Sequence, residues 1–354
     1  MTIITRHVAP DCLRAACSAM RERAHDRGQA VGFCVYSRSM RVQALVVLLV
    51  GCGNVTAAPD APVVDMPNDG PFLGAHRHYV IDHQNIPTSS SEAQANGLDL
   101  NGDGNVDNQL GNTFGALAGQ GFDIKGTTNL AVDRGAILML LDVQAPDLVT
   151  AAAAAVAMYQ GANPNPPACD PNGVCRGHLA GTATFAIASS SPNDPPLAAA
   201  ITAGTLLGGP GTLPIQLAAF DPNPLTLELH GARVKLANLT DTTIGTGVVA
   251  GAITQGDVDN KMIPQAQQSF MTIVQRDCPL GGIPPACGCA ANSQGATLLN
   301  LFDTNPQDCQ ISVDEIRSNS LIQSLLAPDV TIEGQQMLSF GFGITAVRGE
   351  FTPP

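Results

Sequence analysis

Between residues 213 and 236 the chain reads Leu213-Pro214-Ile215-Gln216-Leu217, then Leu225-Thr226-Leu227-Glu228-Leu229, then Ala232-Arg233-Val234-Lys235-Leu236. Apolar residues recur at every second position, so each run turns one apolar face to a core, as a half-buried β-strand does. Gly208-Gly209-Pro210-Gly211 and Asp221-Pro222-Asn223-Pro224 punctuate the runs as turns. The same reading extends outward. Val248 to Thr254 continues the pattern, and Gly181 to Ala188 mixes small and polar with apolar residues. Ala136 to Val143 is a continuous apolar run of strand length, fitting a buried strand. His78-Tyr79-Val80-Ile81 reads as a first strand. Thr150 to Met158 is Ala-rich, which favours helix by propensity, yet its surroundings are β, and strand is the reading taken. Several short strands between Gly/Pro turns predict a sandwich-like β domain over 71–254.

The pattern changes near residue 255. Asp257 to Ile263 and Pro264 to Arg276 read as helical, with Pro264 suited to a first turn. Ser293 to Phe302 and Val313 to Leu326 read as two more helices. Met337 to Phe351 alternates again. The expectation is a mainly β fold, α+β overall, with a disulfide-laced helical insertion (255–335) and a returning strand and tail (336–354).

The chain has 354 residues and a net charge of −13, with 44% hydrophobic residues. That is enough apolar material for a core. The acidic balance disfavours nucleic acid. Residues 40–52 read as an address: Met40-Arg41, an apolar run from Val42 to Val50 interrupted only by Gln43, then Gly51-Cys52. A short positive segment, a short apolar segment and a small residue suit a secretory signal. The run is too short to span a bilayer as a helix. Leu49-Val50-Gly51-Cys52 resembles the lipobox of bacterial lipoproteins. The resemblance implies cleavage before Cys52, lipidation of Cys52 as a membrane anchor, and sorting to the outer membrane. Residues 1–39 then read as an upstream segment mis-called as coding, with Met40 the start, 40–51 the signal peptide and 52–70 a flexible tether. Without residues 1–51, ten of the 17 basic and 27 of the 30 acidic residues stay, a net charge of −17.

Six cysteines then remain besides Cys52: Cys169, Cys175, Cys278, Cys287, Cys289 and Cys309. An even count in an exported chain points to disulfides. Cys169 and Cys175 flank a turn-rich stretch and are expected to pair. The pairing of the other four is open, and zinc is the rival reading for them.

Asp99-Leu100-Asn101-Gly102-Asp103-Gly104-Asn105-Val106-Asp107 places an oxygen-bearing side chain at every second position, with Gly at the sixth. Calcium needs six to eight hard oxygens around one point, and a tight Asp/Asn loop supplies several. The loop resembles the binding loops of EF-hands and dockerin-type repeats. By that resemblance Asp99, Asn101 and Asp103 are side-chain ligands, Asn105 gives its carbonyl, and Asp107 binds directly or through water. Leu110 stands at the twelfth position, where an EF-hand places Glu. After it, Leu110, Phe114 and Leu117 have helical spacing. Residues 303–315 form a second, less regular candidate. Its possible ligands are Asp303, Asn305, Asp308, Ser312 and Glu315, and they make the insertion EF-hand-like. Its alternative is a helix N-cap in which Ser312 and Glu315 form a capping box.

His76, His78 and His83 with Asp82 form a cluster; on a strand His76 and His78 share a face and could hold a transition metal. A solvated histidine-rich edge is the plainer reading. His178 and His230 stand alone and read as structural. Known nucleophile, zinc-hydrolase and phosphate-loop motifs are absent. The leading expectation is a surface-anchored, calcium-stabilised lipoprotein with a structural or binding role, its protein or glycan partner open. An exported hydrolase with a loop-borne site and a carrier of apolar ligands are the alternatives.

Overall fold

The structure is a computed structural model and describes residues 72, 74–119, 121–219, 223–278 and 282–353. The lipobox, Cys52, the tether and the upstream segment lie outside the described residues. Among the described residues there are eleven strands: β1 (Ala75–Asn85), β2 (Met139–Ala145), β3 (Ala151–Asn165), β4 (Thr184–Ile187), β5 (Leu197–Thr202), β6 (Thr205–Gly208), β7 (Thr212–Leu217), β8 (Leu225–Leu239), β9 (Thr243–Thr254), β10 (Val330–Ile332) and β11 (Gln335–Arg348). Eight of them pair antiparallel in the order β1-β2-β3-β5-β6-β8-β9-β11, and β11 pairs back onto β1. The sheet therefore closes into a barrel. The other three attach to it, β4 on β3, β7 on β8 and β10 on β11.

This overturns the sandwich expectation, and with it the idea of a helical insertion in a sandwich. Local alternation tells which face of a strand is buried, not which strand it pairs with. Sandwich and barrel strands show the same period of two. They differ in whether the outermost strands meet, which removes the sheet edges. Here Tyr79 pairs with Arg348 and Asn85 with Gly343, partners from opposite ends of the described chain.

Residues paired across adjacent strands share a face, so the register can be followed round the ring. Tyr79, Leu141 and Met158 share one face, as do Val143, Val156 and Leu197. Ile201, Leu206, Leu236, Gly247 and Ile344 continue it, and Ala346 returns to Ile81. The side chains on this face are almost entirely apolar and buried, which makes it the interior. The opposite face carries His78, Asp142 and Lys235. A separate small cluster covers part of the outer wall: Leu98, Leu100, Val330 and Ile332 lie on Ala250 and Ala252.

Helices Ser90–Ala95, Gln109–Ala118 and Ile124–Asp133 lie between β1 and β2. Only the second of them was foreshadowed, by Leu110, Phe114 and Leu117. Leu110, Phe114, Ile124 and Val132 join the main core, and the Phe114 ring meets Phe340 edge-on at 5.6 Å. Between β9 and β10 lie a turn of helix (Gln255–Asp257), a π segment (Val258–Met262) and helices Ile263–Asp277, Gln294–Phe302, Val313–Ser318 and Ser320–Leu325. Among the described residues no helix is long and apolar enough to cross a membrane. The Ala-rich stretch is a strand, β3, flanked by β2 and β5. Cross-strand pairing on both sides overrides the helical preference of alanine. The runs 225–229 and 232–236 are one strand, β8, with an irregularity between His230 and Arg233.

Candidate metal centres

The loop 99–107 is closed at its base by a bridge between Leu98 and Asp107, with the Asp107 N–H donating to the Leu98 carbonyl at 3.0 Å. Asp99 accepts from the N–H groups of Gly102 (2.6 Å) and Gly104 (2.8 Å). The Asn101 side-chain oxygen accepts from the Asp103 N–H, and Asp103 from the Asn105 N–H. Both glycines have positive φ, +82° and +84°, a conformation that side chains disfavour. That is why the loop can fold its oxygens inward on themselves. Asp107 is the buried member, and its carboxylate accepts from the Leu100 N–H at 2.8 Å.

The electrostatics of the loop are uneven. Burial, and then the charges of Asp103, Asp329 and Asp99, push the Asp107 carboxyl above its usual range. Asp103, fully exposed, is held below it by the backbone N–H of Asn105. An ionised carboxylate oxygen that accepts one N–H keeps a lone pair for a cation. The twelfth position offers nothing: Leu110 is a core residue with no exposure. Asp329 has both oxygens engaged by Ser339, through its N–H (2.7 Å) and hydroxyl (2.5 Å).

The second loop does sit between two helices, Gln294–Phe302 and Val313–Ser318. Its acids are turned to the loop's own backbone. Asp303 accepts from the N–H groups of Asp308 and Cys309, both at 2.9 Å. One Glu315 oxygen accepts from the N–H groups of Thr304 and Asn305. The other accepts from the Ser312 N–H and hydroxyl. Ser312 in turn caps the Glu315 N–H, so the capping box is formed. Burial pushes the Glu315 carboxyl up, but these hydrogen bonds outweigh it and hold it below its ordinary value.

The cysteines pair as Cys169–Cys175, Cys278–Cys289 and Cys287–Cys309. The first is the expected pair; the others settle the open alternatives and leave no thiolate there for zinc. Cys287 and Cys309 lie beside Asp303, but as a disulfide they cannot ligate as thiolates.

The histidine cluster is rearranged. Asp82 accepts from the Thr345 hydroxyl at 2.6 Å, and His83 is exposed. Asp142 of β2 comes to His76 and His78 instead. The apolar reading of 136–143 passes over Asp142, although a single acid in such a run is itself a signal. His178 is fully buried beside Phe185, and burial lowers its pKa.

Fold and sites together define a closed, eight-stranded antiparallel β-barrel with helices packed on its core and an acidic Asx/Gly loop on its surface. In comparison with known proteins, no family model matches the chain, and no curated protein or solved structure matches it.

Proposed function

We propose that the chain is an exported lipoprotein, tethered to the outer membrane through Cys52, whose barrel is stabilised by calcium in loop 99–107 and which serves a structural or binding role. One observation supports the calcium part above the rest. The charges of Asp103 and Asp99 both act on the Asp107 carboxyl, and residues 98–108 contain no Lys or Arg to balance them. A hard divalent cation relieves that repulsion and suits oxygen donors of this kind. Outside the cell calcium is abundant, so a nine-residue site without a bidentate Glu can stay filled. Loop 303–315 is the secondary candidate, with Asp303, Asn305, Asp308, Ser312 and Glu315 as its oxygen donors.

The test is a thermal melt of the full chain in calcium and in chelator. A ligand at a hundred times its Kd adds about 2.7 kcal/mol of stability, which for a chain of this size raises Tm by roughly 4–5 °C. Asp103→Ala is expected to abolish the rise. Glu315→Ala lowers Tm equally in calcium and chelator if the second loop is held by its own hydrogen bonds alone. It lowers Tm more in calcium if that loop holds the ion. A parent chain that melts identically in both buffers sinks the calcium reading.

A further inference from the structure

On the outer wall of the barrel, β1 and β2 bring two imidazoles and a carboxylate together. His76 and His78 are two residues apart on β1 and so face the same way. His78 is paired directly with Asp142 in the ladder. The cluster is thus built into strand register, not into a loop. His76 Nδ1 lies 2.8 Å from one Asp142 oxygen, and His78 Nε2 lies 3.7 Å from the other. One potential ligand atom from each of the three residues falls within 4.8 Å of the others.

Burial makes the arrangement costly as it stands. The Asp142 side chain is 7% exposed, and its Oδ1 has no hydrogen-bond donor. The buried Nε2 of His78 has no partner either. A buried carboxylate oxygen and a buried ring nitrogen without partners both carry a desolvation cost. The surroundings are apolar: the Phe351 ring lies 4.5 Å from His78, with Tyr159 against Phe351. Burial, and secondarily the Asp142 charge, push the Tyr159 hydroxyl pKa up, so Tyr159 stays neutral there. No basic side chain other than the two histidines pairs with Asp142 among the described residues.

We propose that His76, His78 and Asp142 form a binding site for a divalent transition metal of zinc's class, separate from the calcium loop and independent of it. Two imidazole nitrogens and one carboxylate oxygen suit a borderline cation; calcium and magnesium prefer all-oxygen shells. A cation between His78 Nε2 and Asp142 Oδ1 satisfies both orphaned atoms at once. The 3.7 Å gap between them is close to the ligand–ligand separation that bonds of about 2.0–2.2 Å produce around a tetrahedral ion. His76, 46% exposed, completes three protein ligands by turning from its hydrogen bond to Asp142 onto the ion. The fourth position then faces solvent, open to water or to an exogenous ligand.

The experiment uses the full chain, stripped with chelator and kept in excess calcium so that oxygen-only sites are filled. Zinc is titrated by calorimetry, and cobalt(II) by its visible absorption, which reports tetrahedral nitrogen/oxygen coordination. One equivalent is expected to bind, with affinity falling more than about tenfold in His76→Ala and in Asp142→Asn. His76 is half exposed, so His76→Ala should still fold, melting somewhat below the parent in chelator because Asp142 loses its hydrogen bond; it decides the matter if Asp142→Asn does not fold. A parent that takes up neither metal at millimolar concentration overturns the proposal. So does a His76→Ala variant that binds as the parent does, which would leave the cluster a histidine–aspartate ion pair.

Discussion

Asp107 shows how one residue can carry opposite signs of stability. Its carboxyl is raised in the folded chain, first by burial and then by Asp103, Asp329 and Asp99. An acid with a raised folded pKa binds its proton more tightly when folded. Its ionisation therefore costs stability at neutral pH, and the cost fades as pH falls through the folded pKa. A bound cation reverses this by favouring the ionised form. Asp107→Asn keeps an oxygen to accept the Leu100 N–H and removes the charge. In chelator at pH 7 the variant is expected to melt at or above the parent; in calcium it should melt below it. Melting curves of the two proteins in the two buffers check this, and a variant below the parent in both would refute it. The residue types of the loop were legible because spacing alone makes them conspicuous. Asp142 was not, because its significance lies in the strand beside it. His76 and His78 were visible as a pair, but their third partner is 64 residues beyond His78, and no period in the sequence reports register between strands.

At the scale of elements, Asn108 ties helix, loop and barrel together. Its side-chain oxygen accepts the Gly111 N–H and so caps helix Gln109–Ala118. The same oxygen accepts the Gly341 N–H, and its amide donates to the carbonyls of Gly341 and Ala93, each at 2.9 Å. The β1–β11 ladder ends at Asn85 and Gly343. Just beyond that point, the Asn108 amide takes over the pairing of β11. Asn108 is 4% exposed, so its removal leaves buried backbone groups without partners. Each such group costs about 1–3 kcal/mol. Asn108→Ala is expected to lose about 3 kcal/mol or more, read as a lower urea midpoint with an unchanged m-value. A loss under about 1 kcal/mol would mean that other groups replace these bonds. Elements with a strong local signature were legible: the alternating strands, the helix read over Ser293 to Phe302, whose first residue proves to be its cap, and Pro264 in the first turn of helix Ile263–Asp277. Helix Ile124–Asp133 was not, because its glycine and three threonine or asparagine residues dilute the apolar stripe. Its one clear signal was Asp123, whose carboxylate caps the Gly126 N–H.

At the scale of the whole molecule, closure and cysteine pairing differ in how far the sequence reports them. Closure of β1 on β11 was beyond local reading, since it joins partners more than 250 residues apart. The cysteines were more informative. All six among the described residues are in disulfides, two of them pinning the segment between helix Ile263–Asp277 and helix Val313–Ser318. Such bonds persist in oxidising compartments and are rare in a reducing cytosol. Three disulfides thus support the same compartment as the lipobox, by independent chemistry. The anchor then makes a prediction that concerns location alone. On the proposed reading, a lipid on Cys52 would hold the chain to the membrane, and Cys52 forms none of the three disulfides. Cys52→Ala is therefore expected to shift the protein from the membrane fraction to the soluble envelope fraction, with an unchanged Tm and all three disulfides intact. Fractionation and free-thiol counting on the same preparations check both halves. Membrane retention equal to the parent's would refute the lipid anchor while leaving export standing, and free thiols mapped to any of the six cysteines from Cys169 to Cys309 would remove the disulfide argument for export.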